Sequence, residues 1–181
     1  VDLTTGGYTL KYYFNGSTVA STTINLTGTI PVGNIFVMAH SGASSPIISV
    51  ANQTSSASWF NGNDAVVLSK GTTILDVIGQ IGFDPVTQWG SGNITTLNHT
   101  LRRIVTVTQG DTNPNDAFDP LVEWNGYPID TFNGLGNIGD PLPVELTSFA
   151  ARVSGSNVLL NWETATEINN YGFDIERNTP L

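Results

Sequence analysis

Oxygen-bearing side chains are concentrated between positions 111 and 119, and their types and spacing are the first to suggest chemistry. Asp111, Asn113, Asn115 and Asp116 carry the hard oxygen ligands that Ca²⁺ takes in sets of about six to eight. The segment lacks the central Gly and the distal bidentate Glu of an EF-hand loop, and Pro114 with Asn115 is an ordinary turn pair. The sequence leaves two interpretations open: a hydrogen-bonded turn, which we favour, and a calcium site.

Four aromatic residues, Trp59, Trp89, Trp124 and Tyr127, could form a stacking platform for a sugar, because aromatic faces pack on the apolar faces of sugar rings. Trp124, in a strand pattern, and Trp162, in the tail, are expected in the core. Trp59 and Trp89 lie in loops rich in Gly and Ser, so they are the two candidates for exposure to a ligand. Packing is the more common role of such residues, and both interpretations stay open.

The remaining carboxylates and the two histidines form no catalytic pattern. Asp64, Asp76, Asp84 and Glu123 stand singly along the chain, and Asp at turns first of all accepts main-chain N–H groups. The histidines have no metal-binding spacing, and no serine sits in a G-x-S-x-G elbow. We therefore assign no catalytic, cofactor-binding or metal-ligating residue, and predict that the chain is not an enzyme and needs no cofactor.

Arg102 and Arg103 form the only consecutive pair of basic residues. They fall in a strand pattern, where neighbouring side chains point to opposite faces, so they cannot make one basic patch. We expect one of them to pair with an interior carboxylate or to bond main-chain carbonyl groups.

Composition excludes several classes of function. The 181 residues include 6 Lys and Arg against 15 Asp and Glu, for a net charge of −9, so the chain has no basic surface for nucleic acid. No Cys is present, which excludes disulfides, thiol nucleophiles and Cys-bound metals. No stretch approaches the roughly 18 apolar residues needed to cross a bilayer, so no membrane insertion is expected. The chain begins with Val1, which fits either a processed mature protein or a piece of a longer one.

Strand patterns at short intervals must position these residues. Positions 8–14 alternate in polarity and precede Asn15-Gly16, which predicts a two-residue type I′ turn and a returning strand at 17–24. Residues 41–58 are expected to form a loop that can hold a helical turn, and Gly79 predicts a bulge or a close backbone contact. Further strands are predicted at 35–39, 65–69, 72–78, 100–107 and 121–124. Without a long helical pattern, these strands indicate an all-β antiparallel sandwich or barrel.

The organisation of the chain changes near position 136. Residues 136–143 are rich in Gly and Pro and predict a linker between a β-sandwich at 1–135 and a β segment at 144–181. The β segment has three strand patterns, at 144–153, 157–162 and 171–177. Three strands do not make a sandwich, so we expect an incomplete domain with exposed sheet edges.

Four motifs, in this order, resemble the bacterial branch of the lamin tail domain: FNGNDAVVL at 60–68, DVIGQIG at 76–82, TLRR at 100–103 and FDPLVEW at 118–124. The resemblance covers residues 1–135 and implies an immunoglobulin-like β-sandwich of secreted bacterial proteins, often found beside nucleases or phosphatases. In that family the domain is a non-catalytic targeting or attachment module. Members usually begin with a further strand ahead of the position of Val1, so that strand is either missing or supplied by something else.

The tail resembles a second family. LPVELTSF at 142–149 and WETATEINNYGFDIER at 162–177 are similar to the start of a fibronectin type III-like segment. Such segments are common near the C-terminus of exported bacterial proteins, particularly those of type IX secretion.

These patterns together predict a non-catalytic extracellular or cell-surface module with a structural or adhesive role. In a sharper version, the module self-assembles into a filament by strand exchange. Its partners are then further copies or other cell-surface proteins, bound through open sheet edges. Two alternatives stay open: an accessory or targeting domain of a secreted hydrolase (nuclease or phosphatase), and a carbohydrate-binding module with a glycan partner, which depends on Trp59 and Trp89.

Overall fold

The computed structural model describes residues 1–136, 146–165 and 175. The chain divides into two compact units, Val1–Asp140 (unit 1) and Pro141–Leu181 (unit 2). The fold is all-β, as the sequence predicts. The boundary between the units falls inside the predicted linker at 136–143. Most of that linker, and most of the strand pattern at 171–177, lie outside the described residues.

The described strands of unit 1 are β1 (Tyr8–Tyr13), β2 (Thr22–Asn25), β3 (Met38–His40), β4 (Gln53–Ser55), β5 (Ala65–Lys70), β6 (Thr73–Ile78), β7 (Gly90–Ser91), β8 (Ile94–Thr95), β9 (His99–Arg103) and β10 (Trp124–Pro128). The described helices are α1 (Leu3–Gly6), α2 (Ser45–Val50), α3 (Pro120–Glu123) and a 3₁₀ turn at Phe14–Gly16. Unit 2 contains β11 (Leu146–Ser154) and β12 (Asn157–Thr164). None of the described helices has the length and hydrophobicity needed to cross a lipid bilayer.

Four antiparallel strands in the order β2-β1-β5-β6 form the main sheet of unit 1. On β5, Ala65, Val67 and Ser69 are buried and alternate with more exposed residues, as expected for a strand with one face in the core. Tyr12 on β1 and Val77 on β6 are almost fully buried. Burial raises the pKa of Tyr12 to about 12, because the charged phenolate is poorly solvated there. The predicted strands at 65–69 and 72–78 are confirmed.

The predicted two-residue turn at Asn15-Gly16 is wrong in length. Both residues have positive φ, 50° and 70°, as a type I′ turn requires, but β2 begins only at Thr22. Asn15 donates its main-chain N–H to Asp64 Oδ1 at 2.8 Å, across 49 positions of sequence. Gly16 lies so close to Asp84 that a Cβ would be 2.9 Å from its nitrogen. These long-range contacts hold the chain in a wider loop than the local signal predicts.

The strand predicted at 121–124 is wrong for most of its length. Pro120–Glu123 is the helical turn α3, and β10 begins at Trp124. Asp119 caps this helix, since its side chain accepts the main-chain N–H of Leu121 at 3.0 Å. Pro120 occupies the first turn, where its missing N–H costs nothing. The Asp-Pro pair is thus a local helix-start signal inside an apolar run.

Four further predictions are confirmed at least in part. The strand predicted at 35–39 appears as β3, paired in parallel with β4, and the one at 100–107 appears as β9, paired antiparallel with β10. The loop at 41–58 contains α2. A Cβ at Gly79 would lie 2.9 Å from the ring of Trp89, which confirms a close approach. The immunoglobulin-like arrangement stays a prediction.

Unit 2 contains one antiparallel hairpin within residues 146–165. β11 and β12 pair from Leu146 opposite Thr164 to Ser154 opposite Asn157. The strands predicted at 144–153 and 157–162 are confirmed over their described residues. Trp162, predicted to lie in the core, is instead 39% exposed. That prediction is wrong because the described residues of unit 2 provide no second layer to cover the hairpin.

Candidate functional site

Arg103, at the end of β9, is held by two carboxylates and an aromatic ring. Its Nη1 and Nη2 donate to Asp76 Oδ2 and Oδ1 at 2.6 and 2.9 Å, a bidentate pair. Its Nε lies 3.8 Å from Glu123 Oε2, and its Cζ lies 4.6 Å from the centre of the Trp124 ring. Asp76 also accepts the main-chain N–H of Asp111 at 2.9 Å. The cluster ties β9 to β6 and to the 111–119 segment.

Arg102 points to the other face of β9, as the strand pattern predicts. Its Cζ lies 4.5 Å from the centre of the Tyr127 ring. Its Nη2 donates to Asn133 Oδ1 at 2.9 Å and to the carbonyl oxygens of Thr131 and Asn133. The predicted arginine partners are confirmed, a carboxylate for Arg103 and main-chain carbonyls for Arg102. Arg102 thereby fixes the 129–136 segment beside β9.

The other carboxylates singled out in the sequence hold turns together. Asp64 is buried and accepts two main-chain N–H groups, one of them from Asn15. Asp84 accepts the main-chain N–H of Val86 at 2.7 Å and the side-chain amide of Asn63 at 3.0 Å. Each of these carboxylates therefore serves the fold. Within the part of the chain that the structure describes, no group of three or more His, Asp or Glu side chains is placed to hold a metal ion.

The 111–119 segment forms successive side-chain turns. Asp111 Oδ1 accepts the N–H of Asn113 at 2.8 Å, and Asn113 Oδ1 accepts the N–H of Asn115 at 3.3 Å. This is the geometry of Asx turns. The carbonyl oxygen of Asn115 accepts the side-chain amide of Gln80 at 2.8 Å, and Asp116 is exposed. These bonds support the hydrogen-bonded turn that we favour, and the calcium site stays an untested alternative.

The two tryptophans considered for sugar stacking have different surroundings. Trp89 is 5% exposed; its ring lies against Gly79 and makes an edge-on contact with Phe118, with ring centroids 5.9 Å apart. Exposure of Trp89 is therefore ruled out, and a platform that needs both tryptophans is not formed. Trp59 is half-buried and meets the ring of His40 edge-on at 5.9 Å.

A cleft of about 640 Å³ opens beside Trp59 in unit 1. It is lined by all of β3, all of β9, Ala43 before α2, Ile47 in α2, and the 129–136 segment that Arg102 fixes. Its volume lies within the range of about 300–1,000 Å³ that is typical of binding pockets. Its lining includes every residue of both strands. We call it the β3–β9 cleft.

β3 has a hydrogen-bonding edge that faces away from its partner strand. The carbonyl of Val37 and the N–H of Ser41 bond to β4, so the odd-numbered residues face that strand. In a parallel pair, the main-chain groups of alternate residues face opposite sides of the strand, so those of the even-numbered residues face away from β4. The N–H groups of Met38 and His40 therefore face away from β4, while the His40 carbonyl accepts the N–H of Ala43 at 3.0 Å. Among the described strands, only β4 pairs with β3.

β9 has a second edge of this kind. Ile104 donates to the carbonyl of Glu123 at 2.8 Å, which marks a hydrogen-bonded pair at the end of the β9–β10 ladder. Bonded and non-bonded pairs alternate in an antiparallel ladder, so the main-chain groups of Leu101 and Arg103 face away from β10. Pro128, which lacks an N–H, falls in a non-bonded pair, as this register requires. In the described chain, β10 is the one strand paired with β9.

Sequence reasoning does not locate this cleft. Strand patterns at 35–39 and 100–107 are both predicted, but neither pattern says which strands lie beside each other. The available signal is the continuous apolar run at 35–39, which is typical of a strand with neighbours around it.

Comparison of the chain with protein-family profiles, with curated proteins and with solved structures found no match. The resemblance to lamin tail and fibronectin type III-like domains therefore stays a prediction from the quoted motifs. The fold and the site define an all-β chain with two strand edges along a cleft in unit 1 and an exposed apolar hairpin in unit 2.

Proposed function

We propose that this chain is a non-catalytic structural or attachment module of an exported bacterial protein, and that it assembles with further copies of itself. The observation that carries the proposal is the exposed apolar face of the β11–β12 hairpin. The location outside the cell rests on the resemblance of the motifs. Assembly rests on the hairpin, as follows.

The hairpin has one apolar face and one mostly polar face. Since cross-strand partners share a face, the register assigns the seven pairs between Ser148 and Glu163, on the turn side of the irregularity next to Leu146. The apolar face consists of the pairs Phe149–Trp162, Ala151–Leu160 and Val153–Val158. The other face consists of the pairs Ser148–Glu163, Ala150–Asn161, Arg152–Leu159 and Ser154–Asn157. This alternation is the pattern of a sheet that packs one face on another layer.

That second layer is what the hairpin needs. Phe149 is 59% and Val153 is 76% exposed, and Val158 and Trp162 are exposed as well. Full burial of such side chains is worth about 1.5–3 kcal/mol each, and an isolated two-stranded hairpin is marginally stable in water. A second copy that covers this face supplies both the apolar burial and a further strand at the hairpin edge.

The experiment is size-exclusion chromatography with light scattering, and negative-stain microscopy, across a range of protein concentrations. We expect concentration-dependent assembly of the wild-type chain. Phe149→Ser with Val158→Ser, on the apolar face, should leave a monomer. Ala150→Ser with Asn161→Ser, on the opposite face, is the matched control and should still assemble. A monodisperse wild-type monomer without fibres would overturn the proposal.

A further inference from the structure

We propose that the β3–β9 cleft binds residues 171–177 of a second copy of the chain as an added β-strand. The proposal rests on the proposed function, because it names an acceptor site and a donor segment for the assembly. Addition of an extended segment to an open sheet edge has two requirements. Main-chain hydrogen bonds provide affinity, and alternate side chains provide specificity.

Both strands that line the cleft carry main-chain groups directed away from their partner strands, as the first requirement demands. On β3, the N–H groups of Met38 and His40 face away from β4, and on β9 the groups of Leu101 and Arg103 face away from β10. All of these residues line the same cleft. β9 has 5 residues, and at about 3.3 Å per residue it offers an edge of roughly 17 Å. A donor of five to seven residues therefore matches the acceptor in length.

The side-chain requirement is met by the pattern of the donor. From 171 to 176, residues at odd positions are apolar and those between them are small or acidic: Tyr171, Gly172, Phe173, Asp174, Ile175, Glu176. As an extended strand, these six residues have an apolar face and an acidic face, and Arg177 ends the segment. Ile175 is 62% exposed on its own chain. Met38, Leu101 and Phe132 are among the apolar residues that line the cleft.

Charge favours one orientation of the donor. The chain carries a net charge of −9, and β9 contains two of its six basic residues. Arg102 and Leu101 lie on opposite faces of β9. A donor whose apolar side chains continue the face of Leu101 therefore brings Asp174 and Glu176 to the face of Arg102. The match combines apolar burial on one face with attraction on the other.

A donor and an acceptor at different places on one chain make a head-to-tail contact. Each added copy satisfies one cleft and brings another, so the contact does not close on itself and extends into a filament. If residues 171–177 bound the cleft of their own chain, neither the cleft nor the donor segment would be available to a second copy. That outcome would contradict the proposal.

The first test adds a synthetic peptide of residues 169–179 to the full chain, at a protein concentration where the chain is monomeric. We expect amide hydrogen exchange, measured by mass spectrometry, to slow about tenfold or more at 38–40 and 99–103. The control peptide carries Phe173→Asp and Ile175→Asp and should bind at least about tenfold more weakly. Equal slowing by both peptides, or slowing by neither, would overturn the proposal.

The second test uses two full-length variants that complement each other. Ala43→Trp fills the cleft, and Phe173→Asp with Ile175→Asp disables the donor; unchanged exchange in β5 verifies that unit 1 is folded in both. Each variant alone should form no filaments. An equimolar mixture should form a 1:1 dimer, because the cleft variant still donates and the donor variant still accepts. Filaments of either variant alone, or a mixture that stays monomeric, would contradict head-to-tail strand addition.

The two proposals fail in different ways. If the wild-type chain is a monomer, the proposed function fails, and the peptide experiment alone decides the cleft. If filaments are abolished by the hairpin-face substitutions but persist in the cleft and donor variants, the proposed function stands and the cleft proposal fails. If 38–40 is protected at every protein concentration and only the donor variant exposes it, the segment occupies its own cleft and the second-copy assignment is wrong.

Discussion

Unit 1 and unit 2 both contain antiparallel strands, but the apolar side chains of these strands are buried in unit 1 and exposed in unit 2. In unit 1, Tyr12, Val67 and Val77 lie on adjacent strands and are almost fully buried. In unit 2, Phe149 and Val153 lie on a hairpin of longer strands and stay exposed. Strand length and strand pattern therefore do not decide whether a sheet is covered. The difference is that other parts of unit 1 cover its sheet, whereas the described residues of unit 2 form the hairpin alone.

Side-chain hydrogen bonds also join more distant parts of the sequence in unit 1 than in the hairpin of unit 2. Asp64 bonds to Asn15 across 49 positions, and Asp76 bonds to Arg103 across 27. The side-chain bond of Thr147 in the hairpin reaches Glu163, 16 positions away across one turn. Unit 1 thus fixes its loops by long-range contacts without disulfides, whereas the hairpin is assembled from local contacts. A local hairpin can form readily but needs a partner surface for stability.

The largest expected difference between the units comes from two glycines with positive φ. Gly79 has φ 87°, and a Cβ there would lie 2.9 Å from the Trp89 ring and 3.0 Å from the Cα of Ala65. Gly155, in the hairpin turn, has φ 62° and open space around it. We expect Gly79→Ala to lower the free energy of unfolding by about 3 kcal/mol, from backbone strain plus overpacking. Gly155→Ala should cost about 1 kcal/mol, from strain alone.

Urea unfolding followed by circular dichroism measures both glycine variants. Equal losses for the two would mean that the close packing around Trp89 is looser than its contacts imply.

The next effect concerns the half-buried charge cluster of Arg103, Asp76 and Glu123 in unit 1. Asp76→Ala removes the bidentate partner of Arg103 and the acceptor for the N–H of Asp111. We expect a loss of about 2–3 kcal/mol, because a half-buried guanidinium keeps only the more distant Glu123. The control, Asp116→Ala, removes the same charge from an exposed position and should change stability by less than about 0.5 kcal/mol. Similar urea midpoints for the two variants would contradict a structural role for the cluster.

A third effect depends on pH and sharpens the contrast in burial. The pKa of Tyr12 is raised from 10.0 to about 12 in the folded chain, so folding favours the neutral phenol. Its contribution to stability is fully present below pH 10 and is lost as the pH rises from 10 to 12. Tyr12→Phe keeps the ring and removes this titration. The urea midpoint of the variant should match the wild type at pH 8 and exceed it at pH 11; a constant difference would show that Tyr12 is not buried as described.

The sequence predicts the elements that depend on local pattern and misses those decided at long range. The strands at 65–69 and 72–78 follow from alternation, because their side-chain period matches the pleat. The Asn15-Gly16 turn is mispredicted in length because Asp64 bonds to the N–H of Asn15 and Asp84 lies against Gly16. The helix at Pro120–Glu123 could have been predicted from Asp119 as its cap and Pro120 in its first turn.

The site is less predictable than the strands. Trp59 and Trp89 stand in similar loops, yet Trp59 lines the cleft while Trp89 packs on Gly79. The opposite faces of Arg102 and Arg103 follow from strand period, but their partners Asn133 and Asp76 do not. The cleft itself depends on which strands are neighbours, and a single strand pattern carries no information on its neighbour.

The smallest expected effect is that of salt concentration on assembly, and it distinguishes apolar burial from charge attraction as the driving force. Each copy carries a net charge of −9, so copies repel one another at low ionic strength. Raising the salt from about 10 mM to about 150 mM shortens the Debye length from roughly 30 Å to roughly 8 Å, which screens this repulsion. If the apolar hairpin face drives assembly, association should strengthen by a few-fold with salt, because apolar burial is not screened. Salt also screens the attraction between Arg102 and the donor carboxylates, which removes only part of this gain. Sedimentation velocity measures the size of the assemblies. Smaller assemblies at high salt would show that charge pairs, and not the hairpin, hold the copies together.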